Sequence, residues 1–194
     1  LGRERRAAEH LLHSGRSLAV RAELDAATSG GLGGGLALEL AQPLSLRWAL
    51  IARGRGAVGQ LARRVQPLSD LPLRWRELSG TAGLAGKVYV ACPLALQAAL
   101  VGGVRWTKAI TRGEGCRPPE PCTLSEASPT VDIAQHTGPY GELSLGLQLL
   151  TGDDWGFDVA CTFALGEAVE DQLGAVISRP LTLRPGVGVR VALP

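Results

Sequence analysis

The segment GGLGGGLALELAQPLSLRWAL, residues 30–50, places large apolar residues at every second position on both sides of Pro43. Its even-numbered positions carry Leu32, Leu36, Leu38, Leu40, Leu44, Leu46, Trp48 and Leu50. A period of two is typical of a β-strand with one apolar face. Pro43 has no amide N–H to offer a strand ladder, which favours a turn there. The segment therefore predicts two antiparallel strands joined by a tight turn. The glycines do not form a dinucleotide loop, because Leu36 stands where that pattern requires glycine.

The same period recurs along most of the chain. It predicts eight strands, at about residues 17–27, 32–42, 44–55, 77–92, 94–107, 139–150, 155–166 and 181–193. Tight turns are expected at Pro43, at Pro93 and at residues 151–154, whereas residues 56–76, 108–138 and 167–180 form long connections. Strands with short turns at one end and long loops at the other are typical of an outer-membrane barrel. The predicted fold is all-β, an eight-stranded antiparallel up-and-down transmembrane β-barrel over residues 16–194.

A different pattern precedes the first strand. Residues 3–14, RERRAAEHLLHS, are good helix formers followed by a Ser-Gly stop. Residues 1–15 are therefore predicted to be a short N-terminal helical segment. It is either a periplasmic helix or the tail of a preceding segment, and it is a place where a periplasmic partner could attach. No basic and apolar leader is recognised at Leu1.

The less apolar strand face indicates which side lies inside. Most of its residues are Gly, Ala and Ser, which suit a narrow interior better than a water-exposed surface. Its isolated charges are predicted to form a paired network in the lumen, because an unpaired buried charge costs several kcal/mol. The predicted network comprises Arg21, Glu23, Asp25, Glu39, Arg47, Lys87, Arg105, Glu142, Asp158, Arg184 and Arg190. Arg53 shares this face. The apolar faces of the eight predicted strands carry no charge. The structural alternative is a soluble, lipocalin-like ligand-binding barrel with its apolar face inward.

Composition narrows the function classes. The chain has 20 basic and 18 acidic residues and a formal charge of +2, which gives no electrostatic case for nucleic acid. It lacks an uninterrupted apolar run of the length that a transmembrane helix needs. Hydrophobic residues make up 45% of the chain, enough for a large apolar surface.

On its alternating strands and loop layout, the chain over about residues 16–193 resembles the small eight-stranded bacterial outer-membrane barrel proteins. The resemblance implies a Gram-negative outer membrane as the location, with outer-membrane lipid and lipopolysaccharide as neighbours. It also implies aromatic girdles at the membrane interfaces. The candidates for these girdles are Trp48, Trp75, Trp106, Trp155, Phe157 and Phe163.

The cysteines suggest one disulfide. Cys116 and Cys122 bracket RPPEP in the longest loop, a spacing compatible with a local disulfide in an oxidising compartment. Free thiols are the alternative. No metal site is predicted, since only His136 is near enough in sequence to add a ligand. Cys92 and Cys161 share the parity of the apolar residues and are expected to face lipid.

Candidate catalytic residues are sparse, and no cofactor motif is present. His136 with Ser125, Ser128, Asp132 and Thr137 is the one conceivable catalytic group, and an ordinary solvated loop explains it better. We therefore predict no enzyme activity. A second loop feature, with Arg53, Arg55, Arg63 and Arg64 at the barrel mouth, is either solvated or binds acidic lipopolysaccharide groups.

An eight-stranded barrel is barely wide enough for its own side chains. The predicted function is therefore a structural, anchoring or surface-interaction module that acts through its long loops, with a periplasmic or surface protein as a further partner. The alternative within the membrane is a narrow channel for small solutes.

Overall fold

A computed structural model describes residues 16–26, 32–63, 71–91, 94–112, 130–151, 155–167, 169–170, 176–178 and 181–193. Over these ranges the chain forms ten strands. They are β1 (Arg16–Ala26), β2 (Leu32–Pro43), β3 (Trp48–Arg63), β4 (Leu71–Ala91), β5 (Leu94–Arg112), β6 (Thr130–Leu150), β7 (Trp155–Gly166), β8 (Val169–Glu170), β9 (Val176–Ser178) and β10 (Leu181–Leu193). Within those ranges we find no helix with the length and hydropathy needed to cross a bilayer.

Eight of the strands close into one barrel. Their order around the barrel is β1-β10-β7-β6-β5-β4-β3-β2, and β8 and β9 pair separately. All barrel pairs are antiparallel, and β1 pairs with β10 to close the ring. The predicted eight-stranded up-and-down barrel is confirmed. The predicted N-terminal helix and the Cys116–Cys122 disulfide lie outside the described residues.

The strands are staggered as well as paired. Following register partners around the barrel leads from Val191 to Leu18, Leu40, Ala52, Ala82, Gly102, Gly141, Leu165 and finally Leu181. One circuit therefore returns to β10 ten residues from its start. Such a stagger requires the strands to tilt by about 35–45° against the barrel axis.

Alternating side chains separate two environments. In β1 and β2 the buried positions are small or charged, while the positions between them are exposed and apolar. One small apolar cluster lies inside the barrel, formed by Ala41, Ile51, Ala85, Ala99 and Val101. Outside lies a broad belt of exposed apolar residues. Among its members are Leu18, Val20, Leu36, Leu38, Leu40, Leu50, Leu84, Leu96, Leu100, Leu143, Leu145, Leu147, Val159, Phe163, Val187 and Val189. The inverted arrangement, polar inside and apolar outside, suits lipid and contradicts the soluble, lipocalin-like alternative.

Four strands are longer than the sequence predicted. β3, β4, β5 and β6 have 16, 21, 19 and 21 residues, whereas about 9–11 tilted residues cross a bilayer. The predicted connections 56–76 and 108–138 were therefore wrong at their ends, because much of each belongs to paired strands. These four strands extend the barrel wall beyond the membrane at the end opposite the chain termini. By the usual layout of short periplasmic turns and longer outer loops, that end is extracellular.

The first tight turn comprises residues 44–47. Ser45 Oγ accepts hydrogen bonds from the backbone N–H groups of Arg47 at 3.3 Å and Trp48 at 3.2 Å. Pro43 is the last residue of β2 and does not lie within the turn. The side chain of Arg47 is exposed at this turn, so its assignment to the lumen was wrong. The alternation of inward and outward side chains does not extend into the turn. There the Ser45 hydroxyl, and not a neighbouring strand, accepts the hydrogen bonds of the backbone N–H groups.

Candidate functional site

The lumen charges form the most elaborate polar arrangement in the described structure. Nine predicted members are buried: Arg21, Glu23, Asp25, Glu39, Arg105, Glu142, Asp158, Arg184 and Arg190. Lys87 is half-buried on the lumen face of β4. Of the predicted set, only Arg47 lies outside the lumen.

A lower cluster, nearer the short turns, centres on Glu39. Its carboxylate lies 2.6 Å from Arg53 Nη2, 2.6 Å from Arg190 Nη2 and 3.2 Å from Arg21 Nη2. Glu39 and Arg53 are direct register partners on β2 and β3, so the strand ladder itself brings them together. Asp158 completes the cluster, 3.4 Å from Arg21 and 3.1 Å from Arg190. The lower cluster therefore ties β1, β2, β3, β7 and β10 together.

An upper cluster lies nearer the extracellular end. Arg55 Nε lies 2.6 Å from Glu23 Oε2, and its Nη1 lies 2.8 Å from Glu77 Oε1. Arg184 Nε lies 2.7 Å from Asp25 Oδ1, and its Nη2 lies 2.9 Å from the same Glu77 oxygen. Arg55 also pairs with Asp25. Arg55 and Arg184 thus share two carboxylates, Asp25 on β1 and Glu77 on β4.

Glu142 on β6 joins the two clusters. Its Oε2 accepts a hydrogen bond from Arg53 Nη1 at 2.6 Å. Its Oε1 accepts from the Tyr140 hydroxyl at 2.7 Å and lies 3.4 Å from Arg184 Nη1. The Tyr140 hydroxyl in turn accepts a hydrogen bond from Arg184. One continuous network of charged groups therefore spans the barrel interior.

This network fills the middle of the lumen. Arg184, Glu39, Glu142 and Thr162 are each less than 2% exposed. A cavity beside Arg21, lined also by Gln97, Ser144 and Asp158, measures about 10 Å³. That volume is close to what a single water molecule requires. Among the described residues, these side chains therefore pack the middle of the barrel.

Three residues of the continuous network, all towards its extracellular end, were missing from the predicted set. Arg55 was expected at the barrel mouth and is instead buried in the lumen, next to Arg53, whose parity had already placed it on the lumen face. Glu77 and Tyr140 are buried as well. The sequence alternation could have identified Arg55, because it lies two positions after Arg53 and so on the same strand face. It was missed because β3 was predicted to end at residue 55. Arg63 and Arg64 lie where the structure describes no side chains.

Trp75 is also a lumen residue. It was expected in an aromatic girdle, but it is only 9% exposed and shares the inward parity of Glu77 on β4. Its indole ring lies close to the backbone of Gly33 on β2 and Gly59 on β3. A Cβ atom added at Gly33 or Gly59 would overlap that ring, so the close approach depends on glycine at both positions. Trp75 therefore helps to fill the extracellular half of the lumen.

The extracellular rim holds a second polar group. Arg105 donates to the backbone carbonyl of Glu167 at 2.7 Å, and its guanidinium lies 5.2 Å from the centre of the Tyr140 ring. His136 Nε2 lies 2.9 Å from Glu167 Oε2, and both side chains are partly exposed. Ser125 and Ser128, the predicted neighbours of His136, lie outside the described residues. Over the described ranges, no group of three or more candidate ligands is arranged to hold a metal ion.

The outer surface separates into a belt and a polar upper wall. Near the short turns, the belt carries exposed Trp48, Trp155 and Phe157, and the last two rings meet edge to face at 5.2 Å. Cys161 lies on the outward face as a half-buried free thiol, as predicted. Above the belt, exposed positions of the long strands become polar: Gln60, Arg74, Arg76 and Gln135. This change marks the height at which the wall leaves the lipid.

Comparison with known proteins places the fold. No protein-family model matches the chain, and no curated protein matches its sequence. Among solved structures, the Neisserial surface protein A (NspA) is similar at a TM-score of 0.58 and 9% identity, with 93% of this chain and 97% of that chain covered. The attachment invasion locus protein Ail of Yersinia pestis, in complex with the heparin analogue sucrose octasulfate, is similar at a TM-score of 0.53 and 13% identity, with 91% and 97% covered.

The chain therefore has the fold of the small eight-stranded outer-membrane barrels, as the sequence predicted. Its apolar outer belt supplies the matching lipid-facing surface. Fold and belt together place it in a bacterial outer membrane.

Proposed function

We propose that this protein is a non-enzymatic outer-membrane module that anchors and presents a surface for interaction at its extracellular end. The observation that carries the proposal is the filled lumen, in which Glu142 joins two ion-pair clusters. A solute path would have to break several buried ion pairs. Function is left to the parts of the chain that lie outside the membrane.

The extended wall supports the same proposal. β3 to β6 continue above the belt and carry the connections 64–70 and 113–129 at their ends. A paired wall of this kind stands clear of the membrane surface. It gives a partner a rigid platform that a short loop alone does not provide.

The charge of the longest connection favours one class of partner. Residues 113–129 contain Glu114, Glu120 and Glu126 against a single Arg117. The Ail structure carries an anionic heparin analogue, but an acidic connection repels such a ligand. We therefore propose a basic protein surface as the partner of this connection, and lipopolysaccharide as the neighbour of the barrel wall.

Planar-bilayer recordings test the closed lumen. The purified protein is expected to insert without producing conductance steps, while a general porin in the same membranes conducts. Reproducible small steps that disappear with a lumen variant would overturn the proposal in favour of the narrow channel.

Binding measurements test the surface role. Barrels in nanodiscs should bind polylysine and not sucrose octasulfate, and replacing Glu114, Glu120 and Glu126 by Gln should weaken the polylysine binding. Equal binding by the triple variant would contradict the proposed partner class.

A further inference from the structure

A groove opens on the lipid-facing side of the barrel, across β2 to β5. It has a volume of about 870 Å³. Leu36 and Leu38 form one side and Val104 and Trp106 the other. Leu78 lies between them in the register row of Trp106, and Val58 lies at the upper end. Its floor lies at Gly54, Gly56 and Gly80. The groove lies on the outer face, and Val20 on β1 and Arg55 on β3, a member of the ion-pair network, also line it.

The floor glycines are not required by the packing of the barrel. A Cβ atom added at Gly54 or Gly80 would meet nothing within 4 Å, and at Gly56 it would make an ordinary contact with Leu78 at 3.5 Å. Glycine inside a strand is costly and leaves no side chain to pack, and it often marks the close approach of a ligand. The glycines keep open a space that larger residues would fill.

Basic side chains lie directly above the groove. Arg76 is the register partner of Val58, which lines the upper end, and Arg74 is the partner of Gln60 in the next outward row. Both arginines are exposed. Lys108, half-buried, is the register partner of Arg76 on β5. The groove therefore ends at a positively charged upper rim.

The height of this rim matches a membrane interface. Trp48, near the short turns, pairs with Gly86, and ten residues of β4 separate Gly86 from Arg76. About 9–11 tilted strand residues cross the hydrocarbon layer. Arg76 therefore lies at the level of the outer-leaflet head groups, and the groove below it lies at the level of their acyl chains.

We propose that this groove binds one phosphorylated lipid of the outer leaflet, with an acyl chain over the glycine floor and a phosphate against Arg74 and Arg76. Guanidinium groups bind phosphate oxygens through paired, charge-assisted hydrogen bonds. Apolar walls and a charged rim match the two ends of such a molecule. The inference goes beyond the proposed surface role and rests only on the membrane placement of the barrel.

A second copy of the chain fits this surface less well. A symmetric pair of barrels meeting at the groove would bring the same patch together from both copies, at the same height. Arg74 and Arg76 of one barrel would then face those of the other. The resulting repulsion between like charges favours a lipid over a second barrel.

Native mass spectrometry of the detergent-solubilised protein, titrated with bis-phosphorylated lipid A, tests the proposal. One lipid A per chain is expected to bind saturably, and the dephosphorylated lipid should bind at least tenfold more weakly. Gly54→Leu with Gly80→Leu should remove binding by filling the floor, and Arg74→Gln with Arg76→Gln should weaken it at least tenfold. Ala98→Leu, outward-facing on β5 away from the groove, and Arg47→Gln, exposed at a turn, are matched controls that should bind normally.

Several outcomes would overturn the proposal: binding without saturation, equal binding of the dephosphorylated lipid, wild-type binding by either double variant, or a lipid-free dimer that the glycine variants abolish. Fluorescence of Trp106, in the side wall of the groove, gives an independent measurement with the glycine floor unaltered. With Trp48 and Trp155 replaced by Phe, Trp106 and the lumen residue Trp75 remain. Brominated-chain lipid A at equimolar lipid should quench the part of the emission that a further Trp106→Phe change removes, and absence of this quenching would contradict the proposal. Heat-modifiable mobility reports the barrel separately, so loss of lipid binding in a folded barrel overturns this inference alone.

Discussion

Arg53 Nη1 donates to Glu142 Oε2 at 2.6 Å across the lumen, from β3 to β6. These strands are not neighbours in the barrel, because β4 and β5 lie between them. The contact therefore braces opposite parts of the wall, which strand ladders alone do not connect.

Replacing Glu142 by Gln should destabilise the barrel. Arg53 and Arg184 would each lose a charged partner in a buried site, and breaking a buried ion pair costs about 3–5 kcal/mol. Urea unfolding in lipid vesicles, followed by tryptophan fluorescence, measures the change. Glu167→Gln is the control, because that carboxylate is 55% exposed and its loss should alter stability by less than about 0.5 kcal/mol. Equal stability of the two variants would show that the brace is unimportant.

Two arginines make a second matched pair. Arg190→Gln should destabilise the folded barrel strongly, because Arg190 contacts both Glu39 and Asp158 in the lower cluster. Arg47→Gln should leave stability unchanged, because Arg47 is exposed in the turn. The stabilities of the two variants are compared by the temperature at which the faster-running band of the folded barrel disappears from a denaturing gel. A large effect at Arg47 would restore its predicted place in the lumen.

Glycine positions on β3 are expected to differ by face. Gly59→Ala should cost about 1–3 kcal/mol, since its Cβ atom would overlap the Trp75 ring. Gly54→Ala, on the open outer face, should be neutral or slightly stabilising. Trp75→Leu in the Gly59→Ala background should recover part of the loss, which a double-mutant cycle measures. If the destabilising effects of Gly59→Ala and Trp75→Leu are simply additive, the Trp75 ring does not contact position 59.

Orientation is testable by labelling. In a variant with all native cysteines replaced by Ser, a cysteine at Gln135 should react with an impermeant maleimide in intact cells. A cysteine at Ser45 should react only after the outer membrane is permeabilised. Both native residues are exposed, so accessibility within the barrel does not limit either reaction. The reverse pattern would mean that the long strands project into the periplasm.

The alternation of apolar and polar residues was enough to predict most of the barrel. It was least informative where the strands leave the membrane. β7 and β10 were predicted at their observed bounds, since lipid on one side and lumen on the other impose strict alternation. β4 begins at Leu71, earlier than predicted, because Arg74 and Arg76 face outward above the belt, where charge is no longer costly. The lumen charges could be recognised as a set, but their partners depend on the stagger of the strands, as the cross-lumen contact of Arg53 with Glu142 illustrates.

The pairing of β1 with β10 has a consequence for how the protein is made. Arg184 and Arg190, on the last strand of the barrel, bind Asp25 and Glu39, on its first two strands. Until that strand arrives, these carboxylates lack their final counter-charges and the barrel has two open edges. A chain truncated before residue 181 would retain its lipid-facing leucines yet lack two of the arginines that pair with its interior carboxylates. The ion pairs thus couple charge neutralisation in the interior to closure of the barrel.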